Sequence, residues 1–450
     1  MLRLGLAGYQ PLVLYIGAIA AFLLSIVWKP ELGLYYLVPL LPMQTARYWL
    51  HNYPFGEKLV DVLMLGVLIG LYVHRKRPIF LPSAVNKWIA GFCLLMYLSL
   101  WKGASYLGVD LPLSIEDPRF SDWKNYVEML LLVFVVAATI RTKKQMTILL
   151  ALMCLSMLMV NRAYHSNISG RDFSSFSYEL RDAGPLGFAG ENGMGAFQAE
   201  FLVFLIGLAA YSKKLLVTIG IWFVAFTSIY SLLFSFSRGA YVGFMLGFLT
   251  VGLVKNRKLL IVFVVILIGW QGIVPNAVRE RVMMTYQNGQ GLDSSAEDRV
   301  TIWEDAMKVI DHDPVFGTGF DTYRSMARIG NYGDTHNYYL KVALEMGVIG
   351  LLLFLALLFA AGKMAWRLLR HATDPLLQAI GCGFFAMWVT TLIVNFFGDR
   401  WTFLQVNGFF CVLLGVVARG LVATEDTRPT LVTGSEEVGL TSPPAVGVYP

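Results

Sequence analysis

Eleven apolar runs, at about 59–73, 84–101, 125–140, 146–161, 193–211, 214–233, 238–254, 258–274, 338–361, 376–397 and 403–420, recur along almost the whole chain with polar breaks between them. A helix resting on water needs a polar side, and these runs have none, so lipid is their solvent. In lipid each backbone N–H and C=O must be met within the segment, which makes the runs helices. Alternation of the barrel kind is absent. With 56% hydrophobic and 15% charged residues over 450 positions, a soluble globule is excluded. The expected fold is all-α, a polytopic membrane protein.

Residues 11–50 add two apolar stretches, split at Lys29-Pro30, the second short before Pro39 and Pro42. Thirteen helices result if both cross, and twelve if one is re-entrant; about twelve is the expectation. The first run leads on to Pro30 and further apolar sequence with no small-residue cleavage site, so no cleavable signal is expected. If the runs alternate, Arg75-Lys76-Arg77, Arg141 with Lys143 and Lys144, Lys213-Lys214, Lys255 to Lys258, and Lys363 to Arg370 share one side. An excess of Lys and Arg makes that side cytoplasmic, and the net charge of +6 is topology information of this kind. Cys93, Cys154, Cys382 and Cys411 lie in apolar runs without Cys-x-x-Cys pairing and read as buried hydrophobes.

The opposite side receives 275–337, with ten acidic and six basic residues. The expected organisation is therefore helices with short loops over 1–274, a large outer loop over 275–337, further membrane helices over 338–420, and a disordered cytoplasmic tail over 421–450. Within the large loop, Ala296, Val300, Trp303, Met307 and Ile310 recur at helical spacing and predict an amphipathic helix. Asp311 and Pro314 should end it, and Gly317-Thr-Gly319 should turn.

Several polar residues then fall at the outer face. His336 and Asn337 stand at the mouth of the 338–361 run, followed after nine residues by Gly347 and Gly350. Thr335 or Asp334 is suited to cap the coming helix, and its dipole disfavours a protonated imidazole, which suits a general base. Gly347 and Gly350, one turn apart, read as a close-packing face. An interfacial polar histidine is the plain alternative. Arg238, flanked by Ser235 and Ser237, opens a helix with Gly239, Gly243 and Gly247 at four-residue spacing. A cation at a helix N-terminus calls for an anion, and phosphate suits both the N–H groups and the guanidinium; snorkelling to headgroups is the alternative. Arg299 lies on the amphipathic helix beside Glu297 and Asp298, and Arg279, Arg281, Arg324 and Arg328 add to an anion funnel. Asp311-His-Asp313 resembles a metal string but sits where a helix must end, so no metal site is expected. Arg162 with His165, Glu191 with Asn192, and Asp399 with Arg400 fall at the same face. It is bordered by Tyr323, Tyr332, Tyr338, Tyr339 and Trp401.

The Ser237-Arg238-Gly239 turn, Arg299-x3-Trp303 leading to Asp313-Pro314-x2-Gly317-x-Gly319, and His336-Asn337-x9-Gly347-x2-Gly350 together resemble the O-antigen ligase family (WaaL-type) and its wider superfamily of O-antigen polymerases and O-oligosaccharyltransferases. The resemblance implies a periplasmic transfer of glycan from undecaprenyl pyrophosphate to a hydroxyl of the lipid A core, in the bacterial inner membrane, with no metal or nucleotide cofactor. In that setting His336 is the expected base, while Arg238, Arg299 and Arg162 are expected at the donor pyrophosphate. Asn337, Asn192, Asp399 and Arg400 are secondary candidates. A single displacement would invert the anomeric centre. Polymerase, protein O-oligosaccharyltransferase and lipid-linked oligosaccharide transporter are the competing readings. No nucleic acid partner is expected.

Overall fold

The computed structural model describes residues 10–284, 294–329 and 333–426. Among these residues every regular element is helical, with no strand. In chain order the α-helices are α1 (Gln10–Val27), α2 (Glu31–Leu40), α3 (Gln44–Tyr48), α4 (Leu59–Val73), α5 (Asn86–Leu107), α6 (Pro118–Thr139), α7 (Lys143–Ile168), α8 (Gly190–Ala209), α9 (Leu215–Leu233), α10 (Arg238–Val254), α11 (Lys258–Ile273), α12 (Asn276–Met283), α13 (Ser294–His312), α14 (Thr322–Met326), α15 (Tyr338–His371), α16 (Pro375–Phe396) and α17 (Leu404–Asp426). Local chemistry sets several starts. Asp117 and Asp374 each precede a proline at the first helical position and accept backbone N–H groups of α6 and α16. Thr142 and Gln145 close a capping box on α7.

Among the described residues seven helices are long and apolar enough to cross a bilayer: α1, α7, α8 with the turn before it, α9, α15, α16 and α17. The chain is a polytopic, all-helical membrane protein. Bent by 108°, α11 and α12 make an eighth span if the pair is counted as one. The expectation of about twelve is not reached on length and apolarity alone. Although apolar, α4 and α10 are short, and α6 carries Arg119, Asp122, Lys124 and Glu128 in its first half. The ten residues of α2 rise only ~15 Å at 1.5 Å each, about half a hydrocarbon core, so this second N-terminal stretch does not cross by itself.

Packing centres on α8, whose Gly193–Ala209 stretch is buried throughout. A Cβ on Gly383 of α16 would stand 2.7 Å from the Phe204 carbonyl of α8, so these two backbones touch. The glycine stripe of α10 faces α16 as its spacing suggests: Gly239 meets Phe397, Gly243 meets Val394, and Thr390 Oγ1 donates to the Gly243 carbonyl at 3.0 Å.

Gly347 departs from its expected part. It breaks α15, with φ +65° and ψ −169°, instead of admitting a neighbouring helix. The break frees backbone groups, and the 314–319 loop takes them up. Thr318 N–H donates to the Leu344 carbonyl (2.9 Å) and Gly319 N–H to that of Glu345 (2.8 Å), while Val348 N–H donates to the Pro314 carbonyl (2.9 Å). Gly317 makes this approach possible, since a Cβ there would lie 2.5 Å from the Leu344 oxygen. The Gly317-x-Gly319 and Gly347 motifs are two halves of one joint, anchored further by Phe320 N–H donating to the Ser99 carbonyl of α5 at 3.1 Å.

The amphipathic helix exists as α13 and ends at His312 before Pro314, but its buried stripe is rotated from the expected one. Ile302, Ala306 and Val309 pack with Tyr323 and Leu344, and of the expected residues Trp303 and Ile310 join them partly buried, whereas Val300 and Met307 are exposed. The cause lies across the interface, where Tyr323 of α14 and Leu344 of α15 supply the apolar partners. The last helix continues to Asp426, past the position where the tail was expected to begin. Residues 427–450 and Tyr332 lie outside the described residues.

Gly347→Ala should lower the apparent melting temperature in detergent, because the positive φ alone costs a side chain about 1–3 kcal/mol and the new Cβ would collide with the Val315 carbonyl. Gly220→Ala on α9, where a Cβ meets nothing, should leave it unchanged or raised. Equal melting of both variants with the unaltered protein would refute the joint.

Candidate active site

Helix α10 begins in a buried turn. Phe236 holds a left-handed φ of +52° although it is not glycine, and its ring is locked among Phe173, Phe176 and Phe234. That turn delivers Arg238 to a pocket at one end of the bundle, lined by Asn192, Ala196, Ser237, Arg238, Gly239, Ala240, Arg281, Arg299, Val394, Phe397 and Arg400. Four guanidinium groups from four different segments therefore meet here.

Each is held by its own element. On α12, Arg281 is 3% exposed and stacks over Phe176 and Tyr178 at 4.9 and 5.1 Å. Arg299 stands one turn before Trp303, whose indole N–H donates to the Thr335 carbonyl at 3.0 Å and whose ring meets Phe396 edge-on at 5.7 Å. This one tryptophan fixes α13 both to the His336 loop and to α16. Asn395 and Asn407 clasp the backbone of Arg400: the first accepts its N–H at 3.1 Å, and the second donates to its carbonyl at 2.6 Å. Just behind, Arg181 donates to Asn192 Oδ1 at 2.8 Å.

Burial, then the charges of Arg400, Arg238, Arg281 and Arg181, pull the Arg299 guanidinium down to about 10. Burial likewise lowers Arg400, against the opposing pull of Asp334, Asp399 and Glu191. Like charges so gathered repel, and a multiply charged anion with several acceptor oxygens is the group that relieves them.

His336 sits beside the pocket and does not line it. Its backbone is left-handed, φ +52°, and Asp334 grips it twice: Oδ1 accepts the His336 backbone N–H at 3.1 Å, and Oδ2 lies 3.3 Å from Nδ1. Burial raises the Asp334 carboxyl, but the hydrogen bond and charge of His336, aided by Lys341 and Arg400, outweigh it and hold the group at about 2. Arg400 therefore joins the two parts of the site, lining the pocket while interacting with Asp334. A carboxylate at that distance from an imidazole favours its protonated form, so Asp334 can steady the ring as it gains a proton.

Among the other sequence candidates, Asn337 is the cap of α15 and accepts from Leu340 N–H at 3.2 Å; neither Thr335 nor Asp334 caps it. Thr335 Oγ1 instead donates to the Asn337 carbonyl at 2.8 Å. Asp399 is buried and accepts Lys341 Nζ at 2.9 Å and Thr402 Oγ1 at 2.7 Å, so it organises the turn before α17. Arg162 is exposed on α7 and does not line the pocket. Its neighbour His165 stacks edge-on against Tyr230 at 5.3 Å. Asp313 pairs with Lys102 at 3.0 Å. Arg181 and the hold of Asp334 on His336 were not read from sequence, and Arg281 was read only as general loop charge. An aspartate two residues before a histidine in a Gly-Asp-Thr-His turn is the one signal that pointed to the second.

Two outcomes follow. Arg299→Met should raise the apparent melting temperature of the empty protein, since it removes a buried charge among like charges, and should weaken inorganic pyrophosphate binding at least tenfold by calorimetry, a loss of about 1.4 kcal/mol or more. A fall in melting temperature with unchanged binding would count against the anion pocket. Because the Asp334 carboxyl is held below its ordinary value near ~3.9, its pairing stabilises the fold above about pH 4 and is lost as pH falls toward 2. Asp334→Asn should flatten that acid limb in melting curves taken from pH 2 to 6.

Residues 223–355 match the family model Wzy_C, described as O-Antigen ligase. That stretch contains Arg238, Arg281, Arg299, Asp334 and His336, together with the Gly317 and Gly347 joint. No curated protein matches the chain. The chain is thus a polytopic membrane protein in which residues 223–355 are similar to the O-antigen ligase family.

Proposed function

We propose that the chain transfers a glycan from undecaprenyl pyrophosphate to a hydroxyl of the lipid A core oligosaccharide, at the periplasmic face of the bacterial inner membrane. The observation that carries this reading is the meeting of Arg238, Arg281, Arg299 and Arg400 around one pocket, with His336 held by Asp334 beside it. The pyrophosphate sits among the guanidinium groups, which stabilise the charge that develops as the anomeric carbon–oxygen bond breaks. The His336 imidazole takes the proton of the acceptor hydroxyl as that oxygen bonds to the anomeric carbon, while Asp334 steadies the resulting imidazolium. One displacement inverts the anomeric centre. The leaving group departs as the pyrophosphate anion already matched by the arginines, so the charge role of a divalent metal is filled by side chains.

The site needs both substrates at one membrane face. That requirement is supported by an arrangement of thirteen crossings, with α4, α5, α6, α10 and α11 added to the seven long spans and α2 with α3 as one more, since the end of α1 meets the end of α4 (His74 Nε2 to the Ile26 carbonyl, 3.0 Å) and the two helices therefore run the same way. The 275–337 segment is then periplasmic, and residues after α17 are cytoplasmic. Within this reading Arg162 contributes to donor capture only as a charge at the outer surface, while Asn192 and Arg400 act in the pocket. The same pocket would serve a polymerase, whose acceptor is a growing glycan, so the acceptor decides between the two.

Purified protein in nanodiscs, given lipid-linked glycan, should modify O-chain-free lipopolysaccharide and should neither extend donor glycan alone nor modify a pilin-like protein. Extension of donor alone would make it a polymerase, and movement of donor across a vesicle without any new linkage would make it a transporter. His336→Ala should reduce turnover by at least about 100-fold while donor binding stays within twofold. Retained turnover would sink the base assignment.

A further inference from the structure

A second polar group faces the same outer side, and its charge is opposite to that of the arginine pocket. Lys341 Nζ pairs with Asp399 at 2.9 Å and lies within electrostatic range of Glu345, Asp321 and Asp334. Asp122, exposed on α6, interacts in turn with Asp321, Arg324 and Lys341. Five carboxylates from α6, α15 and three loops thus stand around two cations. Asp321 occupies the cap position of α14 with a left-handed φ of +57°, yet its side chain caps nothing; a carboxylate there would ordinarily take an N–H of the helix. Glu345 is 2% exposed, and its Oε1 has no hydrogen-bond partner. Such a buried acceptor beside a lysine is an unfilled hydrogen-bonding position.

Aromatic rings adjoin this group. Trp123, next to Asp122 in sequence, packs against Tyr97 at 4.9 Å and Phe120 at 5.3 Å, and Trp101 meets Tyr97 at 5.8 Å. The segment carrying Asp321 is pressed onto the same end of α5, where a Cβ on Gly103 would stand 3.0 Å from Thr322. Carboxylates accept hydrogen bonds and donate none, so they suit a ligand rich in hydroxyl donors. Half-buried aromatic faces suit the C–H face of a sugar ring. A phosphate would be repelled here as strongly as it is drawn to the arginines. Asp334, which holds His336, interacts electrostatically with Arg400 of the one group and with Lys341 of the other.

We propose that Asp122, Asp321, Arg324 and the Lys341–Asp399 pair, flanked by Trp123, form the acceptor subsite, which binds an uncharged, hydroxyl-rich sugar and presents one of its hydroxyls to His336. The assignment rests on the proposed glycosyl transfer for its role, and its test does not depend on turnover. Core oligosaccharide freed from O-chain-free lipopolysaccharide is titrated, intact and dephosphorylated, into the full chain in nanodiscs, with inorganic pyrophosphate as the probe of the opposite side. The dephosphorylated form should bind more tightly than the intact one. Asp122→Asn and Asp321→Asn should each weaken it about tenfold, as loss of a charged hydrogen bond does, with pyrophosphate affinity unchanged. Asparagine keeps the side-chain shape and tolerates the left-handed backbone at 321, and retained pyrophosphate binding reports an intact fold. The subsite is overturned if the wild-type chain binds no oligosaccharide, if the intact form binds as well as the stripped one, if neither variant weakens it, or if pyrophosphate affinity falls in parallel. Oligosaccharide binding with this pattern but without transfer would leave the subsite standing and refute the enzymatic reading.

Discussion

A break in a membrane helix leaves backbone groups that lipid cannot satisfy, each at a cost of several kcal/mol, and the structure around the candidate active site depends on how one such break is met. At Gly347 the carbonyls of Leu344 and Glu345 and the N–H of Val348 are taken up by the backbone of 314–319. That exchange is possible only where both backbones lack side chains, which places glycine at 317 and at 347. The joint ties the segment after α13 to the upper part of α15, and so brings the helix carrying Arg299 against the helix whose mouth carries His336. Trp303 completes the tie by bonding the Thr335 carbonyl.

Around that joint this end of the bundle sorts its charges. Arginines from α10, α12, α13 and the turn before α17 surround one pocket, while carboxylates from α6, α15 and their neighbouring loops collect around Lys341. Concentrating like charge in a partly buried place opposes folding and favours a ligand of opposite charge. The low-dielectric surroundings strengthen both effects. Backbone strain gathers here as well: Phe236, Asp321 and His336 all hold left-handed conformations without being glycine. Such residues persist only where the surrounding packing over-determines them, as the aromatic lock on Phe236 and the Asp334 clasp on His336 do.

Much of this was legible in the residues themselves. The apolar runs announced the helices, because in lipid no other use of such segments satisfies the backbone. The order Ser-Arg-Gly, Arg-x3-Trp and His-Asn marked three places of unusual polarity at the ends of those runs, and Arg238, Arg299 and Arg400 do converge. Spacing misled where the partner surface decides the outcome. Of the stripe Ala296, Val300, Trp303, Met307 and Ile310, Trp303 and Ile310 do pack inward, yet Val300 and Met307 are exposed and Ile302, Ala306 and Val309 are the ones fully covered, since Tyr323 and Leu344 stand opposite them. Gly347 and Gly350 looked like a helix-packing pair because a positive φ leaves no mark in a sequence.

Taken alone, the sequence determined that this is a helical membrane protein, where its polar interruptions fall, and which of its charged residues stand at helix mouths. These are local consequences of solvent and of hydrogen-bond supply, so neighbouring residues suffice to state them. Only the tertiary structure decided that Arg181 and Arg281 join the arginine group, that Arg162 stands apart from it, that Asn337 and not Asp334 caps α15, and that Asp334 holds His336 instead. Each of those depends on which segments, often a hundred or more residues apart in the chain, are brought within a few ångströms. Electrostatic and hydrogen-bonding energies fall away over that distance, so the pairing is set by packing and cannot be read from the order of residues.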